Sequence, residues 1–318
     1  MIEDKDLLIR VAWLYYEEGL TQDEIARIFS LSRSKVVRIL KRAREEGIVI
    51  FQIIGNGTNC LSLERELISL FNLKDAMVVP AIDENRVRDA LGKAAATYLE
   101  RHLQDGQLLA IGWGRTIHRM ADYIRPGKFK NLKIVNLIGG LTTSFSLNPY
   151  DIGGRLASVW KGECYYVYAP AITVSEELCD SFKSEITVKK ALEMAELADY
   201  CLVGIGEVGR ENTLAQLGYI SLPETEILMK EGAVGNIMAQ FFNIEGKKVN
   251  CELHRRIISV PIEKLRKMEK VIGVAGGKGK VKSILGALHG RFINILITDE
   301  NTAKSLIQLE KSFYSKEK

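Results

Sequence analysis

Seven short apolar runs punctuate the chain between residues 75 and 297: DAMVV (75–79), QLLAI (107–111), KIVNLI (133–138), CYYVY (164–168), YCLVGI (200–205), VIGVA (271–275) and INILI (293–297). Helical patterns lie between most of them, as at 84–103, 185–197 and 278–289. Continuous apolar strands alternating with helices specify a parallel sheet covered on both faces, and so an α/β fold. The sequence carries no internal repeat and no low-complexity tract.

The first 54 residues follow a different rule. Residues 7–18 place Leu7, Leu8, Val11, Ala12, Leu14 and Tyr15 on one helical stripe, and Gly19 ends that helix. Thr21-Gln22-Asp23-Glu24 has the form of a capping box, which starts a short helix with Ile25, Ala26 and Ile28 expected inward. Phe29-Ser30-Leu31 makes a turn. Ser32 then caps a third helix whose Val36, Ile39, Leu40 and Ala43 share an inward face, with Leu31 and Val36 as a hydrophobic staple. A short helix, a tight turn and a basic second helix form the layout of a helix-turn-helix. IVIFQI (48–53) reads as a short strand, a candidate wing.

The net charge of +4 decides nothing, but its distribution does. Acids of this unit fall at 3–24 and 45–46, whereas every charged residue from 33 to 44 is basic. That focus predicts binding to double-stranded DNA. Arg33, Ser34, Val37 and Arg38 are placed to reach base edges, where Arg pairs with guanine and Ser serves either base. Lys35, Lys41, Arg42 and Arg44 suit phosphates, adding affinity and salt dependence rather than sequence choice. Thr21, Gln22 and Ser32, at the helix starts, complete the expected contact set. The alternative is a solvated charged helix face; the caps, the staple and the focused charge together favour DNA.

Gly55-Asn56-Gly57-Thr58-Asn59 is turn-rich and reads as a linker. An amphipathic helix at 61–71 is expected to bridge the units or pair two subunits. The expected division is therefore a DNA-binding domain at 1–54, linker and bridging helix at 55–73, and an α/β domain at 74–318.

Several strands of that larger domain end in glycine: Gly112-Trp113-Gly114, Gly139-Gly140, Gly204-Ile205-Gly206 and Gly276-Gly277. Ligands of open α/β sheets bind beyond the carboxyl ends of strands, and glycine there lets backbone amides approach an anion or a sugar. Gly112, Gly114, Gly204 and Gly206 are candidate binding positions on this ground. Arg115 and Thr116 add a cation and a hydroxyl, and Lys280 a second cation, which suits a phosphate. Tight strand-to-helix turns need glycine anyway, so the recurrence at four strand ends carries the argument.

A composition of 47% hydrophobic and 26% charged residues over 318 residues supports a core that needs no disulfide or metal staple. The five cysteines (Cys60, Cys164, Cys179, Cys201, Cys251) have neither CxxC pairing nor zinc spacing, which points to reduced thiols and the cytoplasm. No apolar run reaches membrane-spanning length, and the N-terminus MIEDKDLLIR lacks a signal core, so no membrane partner is expected.

The string GLTQDEIARIFSLSRSKVVRILKRAREEGIV (19–49) resembles the SorC family of sugar-binding transcriptional regulators. So do IGWGRT (111–116), LVGIG (202–206), GAVGNI (232–237), VAGGKGK (274–280) and ILITDENTA (295–303), in the family's order and across nearly the whole chain. The resemblance implies a winged helix-turn-helix joined to an effector domain with the fold of glucosamine-6-phosphate deaminase and ribose-5-phosphate isomerase. It implies a homo-oligomer, dimer or tetramer, whose grip on operator DNA is changed by a sugar or sugar phosphate, with no cofactor; repression of a carbohydrate-utilisation operon is the commoner outcome in the family. Effector contacts then fall on Arg115, Thr116, Gly139, Gly140, Asn236 and Lys280. The family often has Asp at positions 236 and 243, where this chain has Asn, so its effector is expected to differ.

Related enzymes suggest a second reading, a sugar-phosphate isomerase or deaminase. Such chemistry needs a base beside the substrate carbon. Of four histidines only His118 follows a glycine loop, and Glu207 and Asp299-Glu300 offer no convincing acid–base spacing. Asp299 reads instead as a helix cap. A third reading, an architectural DNA-binding protein, gives no reason for the large glycine-looped domain.

Overall fold

The computed structural model describes residues 5–50, 57–127, 129–141, 148–209 and 212–316, and divides into two compact units, Met1–Gly55 and Asn56–Lys318. The first contains α1 (Lys5–Tyr16), α2 (Gln22–Ile28) and α3 (Arg33–Glu45). Leu8, Val11 and Ala12 of α1, Ile25 and Ala26 of α2, and Val36, Ile39, Leu40 and Ala43 of α3 form its core. Ile28, expected inward, is 57% exposed: it lies in the last turn of α2, past the crossing that Ala26 makes with α3. The capping box is formed, the Thr21 hydroxyl accepting the Glu24 N–H while the Glu24 carboxylate accepts the Thr21 N–H at 2.7 Å. Ser32 caps α3 by accepting the Lys35 N–H, and Ser30 makes the turn with φ of 53°. The expected wing strand is not seen in its described part, since residues 48–50 are bend and irregular; residues 51–53 lie outside the described residues.

The second unit opens with α4 (Gly57–Phe71), so the turn-rich run expected as linker is helical from Gly57 onward. Cys60, Leu63 and Leu67 of α4 are buried in this unit's own core, and the helix packs on β1 (Asp75–Val79) and α14 (Glu300–Lys316). Between these lie α5 (Glu84–His102), β2 (Leu108–Ile111), α6 (Arg115–Met120), β3 (Lys133–Asn136), α7 (Pro149–Trp160), β4 (Glu163–Tyr165), α8 (Glu176–Ser184), α9 (Ile186–Glu196), β5 (Tyr200–Gly204) and β6 (Gly206–Glu207). The chain continues through α10 (Thr213–Gln216), α11 (Leu222–Lys230), β7 (Ala233–Ile237), β8 (Gln240–Asn243), α12 (Ile262–Leu265), β9 (Val271–Val274), α13 (Val281–His289) and β10 (Ile295–Asp299).

All seven apolar runs contribute to one seven-stranded parallel sheet, in the order β1-β10-β9-β5-β2-β3-β4. Successive strand residues face opposite cores. Leu109, Ile111, Tyr200, Leu202, Ile272 and Val274 pack with α5, α6 and α7 on one side. Ala110, Cys201, Val203 and Val271 pack with α4, α9, α13 and α14 on the other. After β2 the chain moves outward to β3 and β4, then returns to place β5 on β2's other side. The carboxyl ends of β2 and β5 therefore meet where the winding direction reverses, the place an open α/β sheet offers a crevice.

A small antiparallel sheet, β6-β7-β8, projects beyond β5. Its β7–β8 turn is Met238-Ala239, both residues left-handed with φ of 52° and 62°. Such two-residue turns normally use Asn-Gly, because a side chain there costs about 1–2 kcal/mol. Here Met238 and Ala239 are themselves buried, and that burial offsets the strain.

His254, on a short 3-10 turn (Glu252–Arg256), stacks on Phe241 and accepts the Phe241 N–H at Nε2, 2.8 Å away. Burial and the Lys248 ammonium push its pKa down to about 4. Since the folded value lies below the ordinary 6.5, the neutral ring stabilises the fold above pH 6.5. That contribution is lost as pH falls toward 4, up to about 3 kcal/mol. Urea midpoints of the chain and of His254→Gln should therefore converge between pH 6.5 and 4; parallel curves would show that His254 does not titrate with unfolding.

Candidate functional site

On the first unit α3 carries the basic face. The Val37 side chain is exposed at 43%, an apolar group among cations. Arg38 makes no ion pair or hydrogen bond among the described residues. Arg33 leans back on α2, its Nε 3.5 Å from Gln22 Oε1 and 3.9 Å from Asp23. Lys41 and Arg42 pair with Glu45 and Glu46 one turn on, at 3.8 and 2.6 Å. The Thr21 and Ser32 hydroxyls accept the capping amides, and Ser34 Oγ lies 3.0 Å from Ser32 Oγ. Exposed pairs of this kind contribute roughly 0–1 kcal/mol, so a phosphate readily replaces the carboxylate. Thus α2 and α3 together display polar and cationic side chains, with acids at Asp23 and Glu24 in the first turn of α2 and at the far end of α3.

Arg38→Ala is expected to weaken binding to a specific site by about 1–3 kcal/mol, well beyond its effect on random duplex. Titration of both DNAs at two salt concentrations checks this; equal losses would reduce Arg38 to a phosphate contact.

In the second unit a cleft opens over the carboxyl ends of β2, β5 and β9, enclosing about 830 Å³ including its mouth. Gly114, Arg115 and Thr116 line it from the start of α6, and Gly204, Ile205, Gly206 and Glu207 from the end of β5 and β6. Asn236 contributes from β7, Lys280 from the turn before α13, and Asn212 from the cap of α10. A concave cleft with a few convergent polar groups is the usual form of a small-molecule site.

Three cations converge here. The Lys280 ammonium donates to the Ile205 carbonyl at 2.8 Å, which fixes it at the end of β5. Burial, together with the guanidiniums of Arg88 and Arg115, holds its pKa below the ordinary lysine range, with Glu207 opposing the shift. Arg88 is likewise lowered, by burial and then by Arg115 and Arg119. Arg115 hydrogen-bonds Gln216 of α10. Arg88 is exposed and Arg115 and Lys280 are half-buried, and mutual repulsion among such neighbouring cations is relieved by an anion between them. The amides of Arg115, Thr116 and Ile117, in the first turn of α6, have no acceptor within the helix. Glu207 is the one carboxylate among the described residues lining the cleft, and no histidine lines it.

Of the residues expected from sequence, Gly114, Arg115, Thr116, Gly204, Gly206, Asn236 and Lys280 are brought together here, while Gly112, Gly139 and Gly140 are not. Gly112 extends β2, its N–H donating to the Leu202 carbonyl. A Cβ at Gly139 would lie 2.4 Å from the Ala169 carbonyl oxygen, and one at Gly140 2.6 Å from the Tyr150 ring. Those two glycines are used for close packing against a neighbouring loop and α7. Sequence reading missed Arg88, Trp113, Glu207 as a lining carboxylate, and Asn212 to Leu214. Arg88 sits within a long helical pattern that signals only a helix, and α10 has too few residues for any periodicity.

The Asp299 carboxylate, 2% exposed, accepts the Gly277 N–H at 2.9 Å and both the N–H and hydroxyl of Thr302. It thereby caps α14 and fixes the turn that carries Lys280. No helix among the described residues is long and apolar enough to cross a membrane, and none of their His, Cys, Asp and Glu side chains cluster as a metal site.

Comparison with known proteins decides the family. Residues 56–308 match the family described as "Putative sugar-binding domain", and residues 11–46 match region 4 of sigma-70. The chain is 35% identical to the transcriptional regulator LsrR of Enterobacter sp. (strain 638), over 97% of this chain and 94% of that protein. The erythritol catabolism regulatory protein EryD of Brucella abortus (strain 2308) is 33% identical, over 96% and 97%. The full-length sorbitol operon regulator SorC from Klebsiella pneumoniae superposes with a TM-score of 0.84 at 30% identity, covering 96% of this chain and all of that one. The chain belongs to the SorC family of sugar-binding transcriptional regulators. This SorC-family regulator thus joins a helix-turn-helix to a sugar-binding domain. Its relatives are named as regulators, and the enzyme reading has no support among them.

Proposed function

We propose that this regulator binds double-stranded operator DNA through α3 and that a sugar phosphate in the cleft changes that binding. The observation that carries the effector reading is the convergence of Arg88, Arg115 and Lys280 against Glu207, the one carboxylate among the described lining residues, at the winding reversal of the sheet. An unphosphorylated sugar would leave those charges uncompensated. A phosphate ester meets them, while Glu207 and Asn236 offer hydrogen bonds to hydroxyls.

The regulated genes are proposed to serve carbohydrate utilisation, with the chain acting as a repressor in the cytoplasm; names such as the erythritol catabolism and sorbitol operon regulators support this reading. The chain is proposed to act as a homo-oligomer, dimer or tetramer. Paired recognition helices then engage half-sites about 34 Å, or a multiple, apart, and effector binding alters their spacing. The DNA contacts are Arg33, Ser34, Val37 and Arg38 to bases, and Lys35, Lys41 and Arg42 to phosphates. Thr21, Gln22 and Ser32 support them.

A thermal-shift series with sugars, polyols and their phosphates tests the effector. A ligand at 100 times its dissociation constant adds about 2.7 kcal/mol of stability. Phosphate esters should raise the melting temperature and the free sugars should not. The reverse pattern would remove Arg115 and Lys280 from the role of phosphate cradle.

A further inference from the structure

Four buried side-chain atoms have no hydrogen-bond partner among the described residues: Asn136 Oδ1, Trp160 Nε1, Asn212 Nδ2 and Thr298 Oγ1. Asn212 alone among these residues lines the cleft. Its side chain is 4% exposed, and its Oδ1 accepts the Ala215 N–H at 2.8 Å, capping α10. That bond fixes which end of the amide is oxygen, because Ala215 can only donate. The donor end is left without a partner among the described residues.

Capping does not account for an asparagine here. Ser, Thr or Asp would accept the same N–H without burying an unused donor, and an unpaired buried N–H destabilises a fold. The neighbourhood says what would pair it. The Gln216 N–H bonds the Asn212 carbonyl, so the two residues sit one turn apart on α10, and Gln216 holds the Arg115 guanidinium. The unpaired amide and Arg115 therefore flank the same corner of the cleft. A group meeting both must carry a negative charge and more than one acceptor oxygen.

Resting on the effector reading above, we propose that Asn212 is an effector-binding residue whose side-chain amide donates to an oxygen of the same phosphate group that Arg115 neutralises. α10 is then part of the binding site, and Asn212 ties its cap to the ligand. The residue selects for a tetrahedral oxyanion at this corner, since a free hydroxyl there would satisfy the amide but not Arg115.

Asn212→Ser tests this in the full-length chain, because serine keeps the cap and the neutral charge but has no amide donor. Glycerol 3-phosphate, ribose 5-phosphate and glucosamine 6-phosphate, with inorganic phosphate, serve as probes by calorimetric titration and thermal shift. Whichever probe binds the unsubstituted chain should bind the variant about tenfold more weakly, with the ligand-free melting temperature no lower. Asn212→Asp, which keeps the cap but adds an anion, should lose more. Equal affinity of the unsubstituted chain and Asn212→Ser overturns the assignment while leaving the phosphate cradle intact. A fall in the ligand-free melting temperature with unchanged affinity would give Asn212 a purely structural role and also overturn it. Failure of every probe to bind the unsubstituted chain would reject the phosphate reading itself, and Asn212 with it.

Discussion

Lys280→Ala should weaken phosphate-ester binding by about 10- to 150-fold and leave operator binding without effector unchanged. The magnitude follows from removing a charge-assisted hydrogen bond worth roughly 1.5–3 kcal/mol. The ammonium is anchored on the Ile205 carbonyl and pressed by two guanidiniums, so it is already poised for an anion rather than paired with a carboxylate. Its removal takes away a cation lying beside two others, and the ligand-free chain should melt no lower than the parent. Titration of a phosphate ester against both proteins checks the first half, and DNA titration the second. A variant responding to the same ligand concentration would place the phosphate elsewhere.

Gly246→Ala should destabilise the second unit by about 2–5 kcal/mol, a large fraction of the stability of an ordinary domain. Two costs add. Gly246 has φ of 72°, where an L side chain costs about 1–2 kcal/mol. Its Cβ would also lie 2.0 Å from the backbone nitrogen of Gly290, a contact no rotamer change relieves. The backbone would have to move, and overpacking of this kind typically costs about 1–3 kcal/mol more. Movement is opposed by Arg266, which donates to the Gly246 and Gly290 carbonyls together. Gly232→Ala isolates the first cost, because Gly232 shares the positive φ, at 79°, but has open space around its Cβ. Chemical denaturation of the two variants should differ by at least the packing cost; similar midpoints would mean the Gly246 turn shifts freely.

The parallel sheet was legible because each strand is apolar on both faces and bounded by glycine or by helical periodicity. Boundaries were less so: CYYVY forms a strand only to Tyr165, because Tyr150 reaches the Val167 and Ala169 carbonyls and takes that segment out of the ladder. The antiparallel β6-β7-β8 sheet was missed for a physical reason. β6 has only the two residues Gly206-Glu207, and the β7–β8 turn is Met238-Ala239, without the asparagine or glycine that marks a hairpin. Within the helix-turn-helix, the capping box, the Ser32 cap and the buried face of α3 could be read directly, since each is a contact between residues close in sequence.

The candidate site divides along the same line. Arg115, Thr116 and Lys280 could be read because each follows a glycine at a strand end. Arg88 and Asn212 could not, because they reach the cleft from a helix face and an isolated cap that only the tertiary fold brings alongside. Gly139 and Gly140 lie outside the cleft lining and pack closely on Ala169 and Tyr150, and nothing in the local sequence separates that use of glycine from ligand approach.

The decisive measurement is the affinity of the full-length chain for its operator, taken by fluorescence anisotropy with and without a saturating phosphate ester that raises its melting temperature. Coupling between the cleft and α3 should change the dissociation constant by about 5- to 150-fold, and Lys280→Ala should erase the change. An operator affinity that stays the same while the ligand is demonstrably bound would contradict it, leaving a DNA-binding unit and a sugar-phosphate-binding unit that share a chain without communicating.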